Sequence, residues 1–257
     1  MGLLTFGISA QCKNKEHPNQ DRFGSITVKS PTGKNVLVAA VSDGVTMCYK
    51  GEIAAYNTIR FILNWAAEYF PLNEFNPSEI AESFDELIIK INQYLNHYSR
   101  AKNKKAPKDG YSQYTSCTLC CVITDGDRIL HFGVGDSLIY ELKPYSTTNI
   151  LSSNKHTNAS GQLTSYIGGI ADDKLDIRYI EGRFDDLSVY CLCTDGMSNK
   201  MVWNIDADEN FRKFNQRLQS INSRNNGIDV LTGMAEYVIS KGETDDITAL
   251  VIKGVKV

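Results

Sequence analysis

The run Asn35-Val-Leu-Val-Ala-Ala-Val-Ser42 has no polar face. A strand that is apolar on alternate and intervening positions alike can be stable only when both of its faces are covered. Glycines at 33 and 44 bound the run, and it ends on Ser42-Asp43-Gly44. A second apolar stretch, Leu187–Cys193, finishes in the same way, on Thr194-Asp195-Gly196. Buried strands that deliver an aspartate and then a glycine are the feature around which the rest of the chain is read.

The flanking segments supply the cover. Residues 1–50 read as strands. The period then changes, and Glu52 to Phe70 reads as a helix stopped by Pro71. Pro77 opens another helix, with Ile80, Phe84, Leu87, Ile88, Ile91 and Leu95 on one face. Ala101 to Tyr114, with four lysines, Pro107 and Asp109-Gly110, reads as a solvated loop. Strands resume at Ser116–Thr124, Arg128–Phe132 and Ser137–Leu142, the first two joined through the Asp125-Gly126 turn. Asn149 to Asp186 is polar and resists assignment, Asp206–Ile221 and Asp229–Ser240 read as helices, and Ile247–Val257 as a last strand. Strands, two helices, strands, two helices and a strand predict an α+β fold with antiparallel sheets. No linker or low-complexity tract interrupts the chain, so a single domain over residues 1–257 is expected.

Composition narrows the function. With 27 Lys plus Arg against 30 Asp plus Glu, the net charge is −3, which argues against a broadly basic nucleic-acid surface. No apolar run reaches the ~20 residues of a membrane helix. The opening Met-Gly-Leu-Leu-Thr-Phe6 has neither the basic start of a signal peptide nor the Ser or Thr of a myristoylation site. A soluble cytoplasmic protein is expected. Cys117, Cys120 and Cys121 include a C-x-x-C, but they sit in an apolar strand with no second ligand pair, so they read as small core hydrophobes and not as a zinc site.

Aspartates at strand ends recur beyond the first two. Gly133-Val-Gly-Asp136-Ser137 ends a third strand, Asp245-Asp246 precedes the last, and Asn19-Gln-Asp21 precedes another near the N-terminus. One Asp-Gly alone is turn chemistry, and Asp125-Gly126 is read that way. Five aspartates at strand ends can converge on one rim of a sheet, where they would repel. A hard divalent cation such as Mg²⁺ or Mn²⁺ relieves that repulsion, and a glycine beside Asp43 would let a main-chain carbonyl approach it. The serine-hydrolase G-x-S-x-G, the P-loop, the C-x5-R of cysteine phosphatases and H-E-x-x-H are all absent.

Five motifs in order resemble the metal-dependent protein phosphatases of the protein phosphatase 2C (PPM) type: Asn19-Gln-Asp-Arg22, Val41-Ser-Asp-Gly44, Gly133-Val-Gly-Asp-Ser137, Cys193-Thr-Asp-Gly-Met197 and Asp245-Asp-Ile-Thr248. Tyr166-Ile-Gly-Gly169 also looks like a family segment. The resemblance implies a four-layer αββα sandwich with two central antiparallel sheets flanked by helix pairs. It further implies a dinuclear Mg²⁺/Mn²⁺ centre with a weaker third site. By motif position Asp43 would bridge two ions, the Gly44 carbonyl would bind one, and Asp195 and Asp245 would hold the other. Asp21 would act through an intervening water and Asp136 would serve the third ion. The family's pair places the ligand first, which favours Asp245 over Asp246. The implied activity is hydrolysis of phosphoserine and phosphothreonine on protein substrates, with a cognate Ser/Thr kinase as the opposing partner.

Two departures stand out. The histidine many members carry two residues after the bridging aspartate is Val45 here, and the phosphate-holding arginine is Glu16, with His17 beside it. Lys13, Lys15 and Lys50 are the candidates to hold substrate phosphate instead. Loss of those groups keeps open an alternative, a catalytically weak or inactive regulatory or interaction module on the same fold. A metal-dependent nuclease would need a basic groove that the composition does not advertise.

Overall fold

The structure is a computed structural model that describes residues 2–11, 18–46, 48–102, 114–144, 149–150, 156–160, 162–169, 172 and 175–255. In chain order the elements are β1 (Gly2–Ala10), β2 (Arg22–Lys29), β3 (Asn35–Ser42), α1 (Gly51–Tyr69), α2 (Pro77–Lys102), β4 (Leu119–Thr124), β5 (Arg128–Val134), β6 (Leu138–Leu142), β7 (Asn149–Ile150), β8 (Arg178–Arg183), β9 (Val189–Cys193), α3 (Asp195–Ser198), α4 (Glu209–Ser220), α5 (Arg224–Ser240) and β10 (Ile247–Val255). One sheet runs β2-β3-β4-β5-β8 and the other β1-β10-β9-β6-β7. All the pairings are antiparallel. The fold is α+β, as expected.

Alternation along the central strands sorts their side chains into separate cores. In β3, Val36, Val38 and Ala40 pack with Ile62, Ile88 and Ile91 of α1 and α2. The intervening Leu37, Ala39 and Val41 meet Tyr190, Leu192 and Leu250 of the opposite sheet. In β9 and β10, Cys191, Ala249 and Val251 pack under α4 and α5 against Phe211, Leu231 and Met234. The layers are therefore helices, sheet, sheet, helices. Each fully buried aliphatic side chain contributes about 1.5–3 kcal/mol. Cys117, Cys120 and Cys121 are fully buried, and burial raises their thiol pKa values, so they behave as core residues.

A strand apolar on both faces is not held in register by hydrophobic pattern, because a one-residue slip exchanges one apolar set for another. Polar bonds at the end of β3 do that work. Ser42 Oγ donates to Thr118 O at 2.7 Å, Thr118 N donates to Asp43 O at 2.7 Å, and Asp43 N donates to Thr118 Oγ1 at 3.2 Å.

Several boundaries differ from expectation: α4 begins at Glu209 rather than Asp206, β4 at Leu119 rather than Ser116 and β9 at Val189 rather than Leu187. α5 begins at Arg224 rather than Asp229; its first turn, Arg224-Asn-Asn226, is exposed and carries no apolar period by which the sequence could signal it. The segment over 149–186 contains the edge strand β8, whose Tyr179 and Ile180 are exposed. Among the described residues no helix is long and apolar enough to cross a membrane.

Candidate active site

Register explains how the aspartates meet. Arg22 pairs with Ser42, so Asp21, one residue earlier, comes opposite Asp43, one residue later. Cys193 pairs with Leu138 on one side and Ala249 on the other. The residues just beyond those pairs, Asp195, Asp136 and Asp245-Asp246, therefore collect at the same rim. Asp125 lies at the opposite end of the first sheet, because Thr124 pairs with Leu37 near the start of β3.

Hydrogen bonds staple the sheets together at this rim. Thr194 Oγ1 donates to Asp21 Oδ2 at 2.8 Å and accepts from Thr248 N at 3.1 Å. Gln20 N donates to Asp246 Oδ2 at 2.9 Å, which gives Asp246 a bracing contact. Asp245 accepts the amide of Asp246 on Oδ1 and contributes its charge to both Asp43 and Asp195. Both members of the pair act on the rim, Asp245 on Asp43 and Asp195 and Asp246 on Asp21.

The electrostatics are those of crowded like charges. Burial raises the Asp43 carboxyl well above its usual value, and the charges of Asp21 and Asp195 add to it. Burial lifts Asp21 to about 6, opposed by hydrogen bonds with Asp43 and Thr194. Asp195 is lifted to about 7, first by burial, then by Asp136, Asp245, Asp21 and Glu243. Asp195 Oδ1 is buried and has no hydrogen-bond partner among the described residues. An anionic oxygen in that condition is costly unless a cation meets it. The donors are hard oxygens, the kind that Mg²⁺ or Mn²⁺ takes. In chemistry the set fits such an ion, although among the described residues no three His, Cys, Asp or Glu side chains close on a single point tightly enough to hold one.

The glycines at the two strand ends answer to packing. A Cβ on Gly44 would lie 2.3 Å from the carbonyl carbon of Gly51, at the start of α1. One on Gly196 would lie 2.0 Å from the Asp246 carbonyl oxygen. Gly44 therefore lets α1 start against the rim. Lys50, exposed and left-handed at φ 57°, caps that helix, with its Nζ 5.3 Å from the centre of the Tyr49 ring. Lys13 and Lys15, with Glu16 and His17, lie outside the described residues. Val45 donates its amide to Ser116 O and offers no titratable group.

Several contributors carry no motif signal. Thr118, which holds both main-chain groups of Asp43, stands alone in sequence. Glu243 adds its charge to Asp195 and accepts the Thr244 and Asp245 amides at 2.8 and 2.9 Å; only the acidic run over 243–246 hinted at it. His156 reaches the turn before Asp136 from a segment that resisted assignment.

Comparison with known proteins agrees with the fold. The sequence model described as protein phosphatase 2C matches residues 9–235. Among solved structures, the serine/threonine phosphatase of S. agalactiae superposes with a TM-score of 0.72 at 16% identity, covering 99% of this chain and 100% of that one. Stp1 from Staphylococcus aureus gives 0.73 at 15%, covering 100% and 96%. PstP/Ppp of Mycobacterium tuberculosis gives 0.69 at 14%, covering 99% of each. No curated protein matches by sequence. At these identities the structural likeness is one of fold.

Proposed function

The chain belongs to the protein phosphatase 2C family, and on that premise we propose that it is a Mg²⁺- or Mn²⁺-dependent phosphatase acting on phosphoserine and phosphothreonine in proteins. The observation that carries this reading is the rim where strand ends from both sheets bring Asp21, Asp43, Asp136, Asp195 and Asp245 into one another's field. In this proposal Asp43, the Gly44 carbonyl, Asp195 and Asp245 would hold two ions, Asp136 would serve a weaker third, and Asp21 would act through an intervening water.

When bound, the ions supply Lewis acidity that makes water a nucleophile near neutral pH and offsets charge on the phosphoryl oxygens. The protein's own groups do the positioning. Thr194 fixes the Asp21 carboxylate through its hydroxyl, and Thr118 fixes the backbone on both sides of the Asp43 side chain. Lys50, exposed beside the Gly44–Gly51 contact, is the described candidate to steer a substrate phosphate; Lys13 and Lys15 are the others. Val45, where a histidine would donate, offers no proton to the leaving oxygen. A cytoplasmic single-domain enzyme opposed by a Ser/Thr kinase completes the proposal.

Hydrolysis of p-nitrophenyl phosphate and of a phosphothreonine peptide tests it. Turnover should require Mn²⁺ or Mg²⁺, disappear in EDTA, and vanish in Asp43→Asn. Turnover by Mn²⁺-loaded protein no greater than that of Asp43→Asn would overturn the enzymatic reading in favour of the regulatory or interaction module.

A further inference from the structure

Asp136 enters the rim on a turn whose shape only glycine fits at position 135. Gly135 sits at φ +97°, and a Cβ there would lie 2.6 Å from Thr118 Cγ2. Downstream of Asp136, the Ser137 hydroxyl bonds the Thr118 hydroxyl at 2.7 Å, so that side is anchored to the residue that also grips Asp43. Upstream, both main-chain groups of Gly135 are taken by one residue. Gly135 N donates to His156 Nδ1 at 2.8 Å, and His156 N donates to Gly135 O at 3.0 Å. His156 is 4% exposed.

The far side of the imidazole is also placed. Nε2 lies 3.1 Å from Asp176 Oδ2, within electrostatic reach though out of line for a well-formed hydrogen bond. The same oxygen accepts from Arg178 Nε at 3.2 Å and Nη2 at 3.1 Å, at the start of β8. An amide N–H can only donate, so Nδ1 must carry a lone pair and the neutral ring holds its proton on Nε2, facing the carboxylate. The His156 carbonyl accepts from Thr164 N at 2.6 Å, and Asp176 N donates to Ser165 Oγ at 3.1 Å. Residues 156, 164, 165, 176 and 178 thus form one braced unit behind the turn.

We propose that His156 is the positioning residue for Asp136, its Nδ1 accepting the Gly135 amide and its Nε2 facing Asp176, so that the Asp136 carboxylate is held toward Asp195. Asp136 heads the charges acting on Asp195, so an Asp136 set adrift would weaken cation binding there. The inference rests on the reading of this rim as a cation site. It assigns to His156 no contact with substrate or ion. Outer partners of this kind typically change metal affinity by about 10–100-fold.

The test is Mn²⁺ binding to the metal-depleted full chain, followed by the electron paramagnetic resonance of free Mn²⁺, with thermal unfolding of each variant alongside. His156→Ala should weaken the Mn²⁺ event that Asp136→Asn abolishes by about tenfold or more, and should add nothing in the Asp136→Asn background. Rescue separates positioning from general packing: His156→Asn places an acceptor near Nδ1 and should restore most of the affinity, whereas His156→Gln should not. In the unaltered chain, imidazole nitrogen resonances should show the proton on Nε2. Unchanged affinity in folded His156→Ala, equal losses in both backgrounds, an Asn variant as weak as Ala, or a proton on Nδ1 would each overturn the proposal. Mn²⁺ binding that responds to Asp43→Asn but not to Asp136→Asn sinks this inference and leaves the phosphatase reading standing. No Mn²⁺ binding at all sinks both.

Discussion

Asp-Gly occurs at the ends of β3, β4 and β9, and the same two residues have different lives at opposite ends of the sandwich. At Asp125 the carboxylate is satisfied. Oδ1 accepts the amides of Asp127 and Arg128 at 3.1 and 2.8 Å, and Oδ2 lies 3.2 Å from Arg128 Nη2 and 3.8 Å from Lys34 Nζ. Gly126 is left-handed at φ 87°, as the turn requires. At Asp43 and Asp195 the surrounding charges are other carboxylates, and the glycine that follows is there because a neighbouring backbone leaves no room for a Cβ. Where the side chain finds cations and amides in its own chain, Asp-Gly closes a hairpin. Where it finds more carboxylates, its charge is left uncompensated by its own chain.

The comparison is broken most readily by activity. Asp43→Asn and Asp195→Asn should each lower Mn²⁺-dependent turnover on the order of a thousandfold, whereas Asp125→Asn should stay within about twofold under steady-state assay. Comparable losses at Asp125 would erase the distinction between turn and site. Denaturant unfolding probes the glycines next. Gly44→Ala and Gly196→Ala, which press a Cβ onto backbone, should cost about 3 kcal/mol or more, against about 1–2 kcal/mol for the left-handed strain of Gly126→Ala. Third, Mn²⁺ at a hundred times its dissociation constant should stabilise the chain by about 2.7 kcal/mol and leave Asp43→Asn unmoved. The smallest effect belongs to Asp125→Asn itself, about 1 kcal/mol of stability: the carboxylate is buried, but Asn keeps an Oδ1 for the Asp127 and Arg128 amides and gives up only the pairs with the exposed Lys34 and Arg128.

What could be read from sequence followed from periodicity and repetition. The apolar runs of β3 and β9 announced strands covered on both faces, and the helical spacing over Ile80 to Leu95 announced α2. The rim aspartates were legible because the same ending recurred on several strands. Lone polar residues were not, since Thr118, Thr194 and His156 act through contacts 19 to 173 residues away and leave no spacing behind. β8 was hidden for a related reason. As an edge strand, its Arg-Tyr-Ile-Glu-Gly-Arg alternates neither hydrophobicity nor burial cleanly. The first turn of α5 was missed because its exposed Arg and Asn residues look like loop, and the apolar stripe starts only at Gly227 and Val230.

β1 pairs with β10 along its whole length, from Gly2 opposite Val255 to Ala10 opposite Ile247. A ribosome adds about 5–20 residues per second, so β1 spends roughly ten to fifty seconds outside the exit tunnel before its neighbour exists. Asp21 waits as long for the Asp246 that braces its loop through Gln20. The acidic rim is therefore the last part of the molecule that can assemble. An interrupted chain lacks the partner of β1 and the brace of the Asp21 loop together. The convergence of these aspartates therefore depends on the final strand being made.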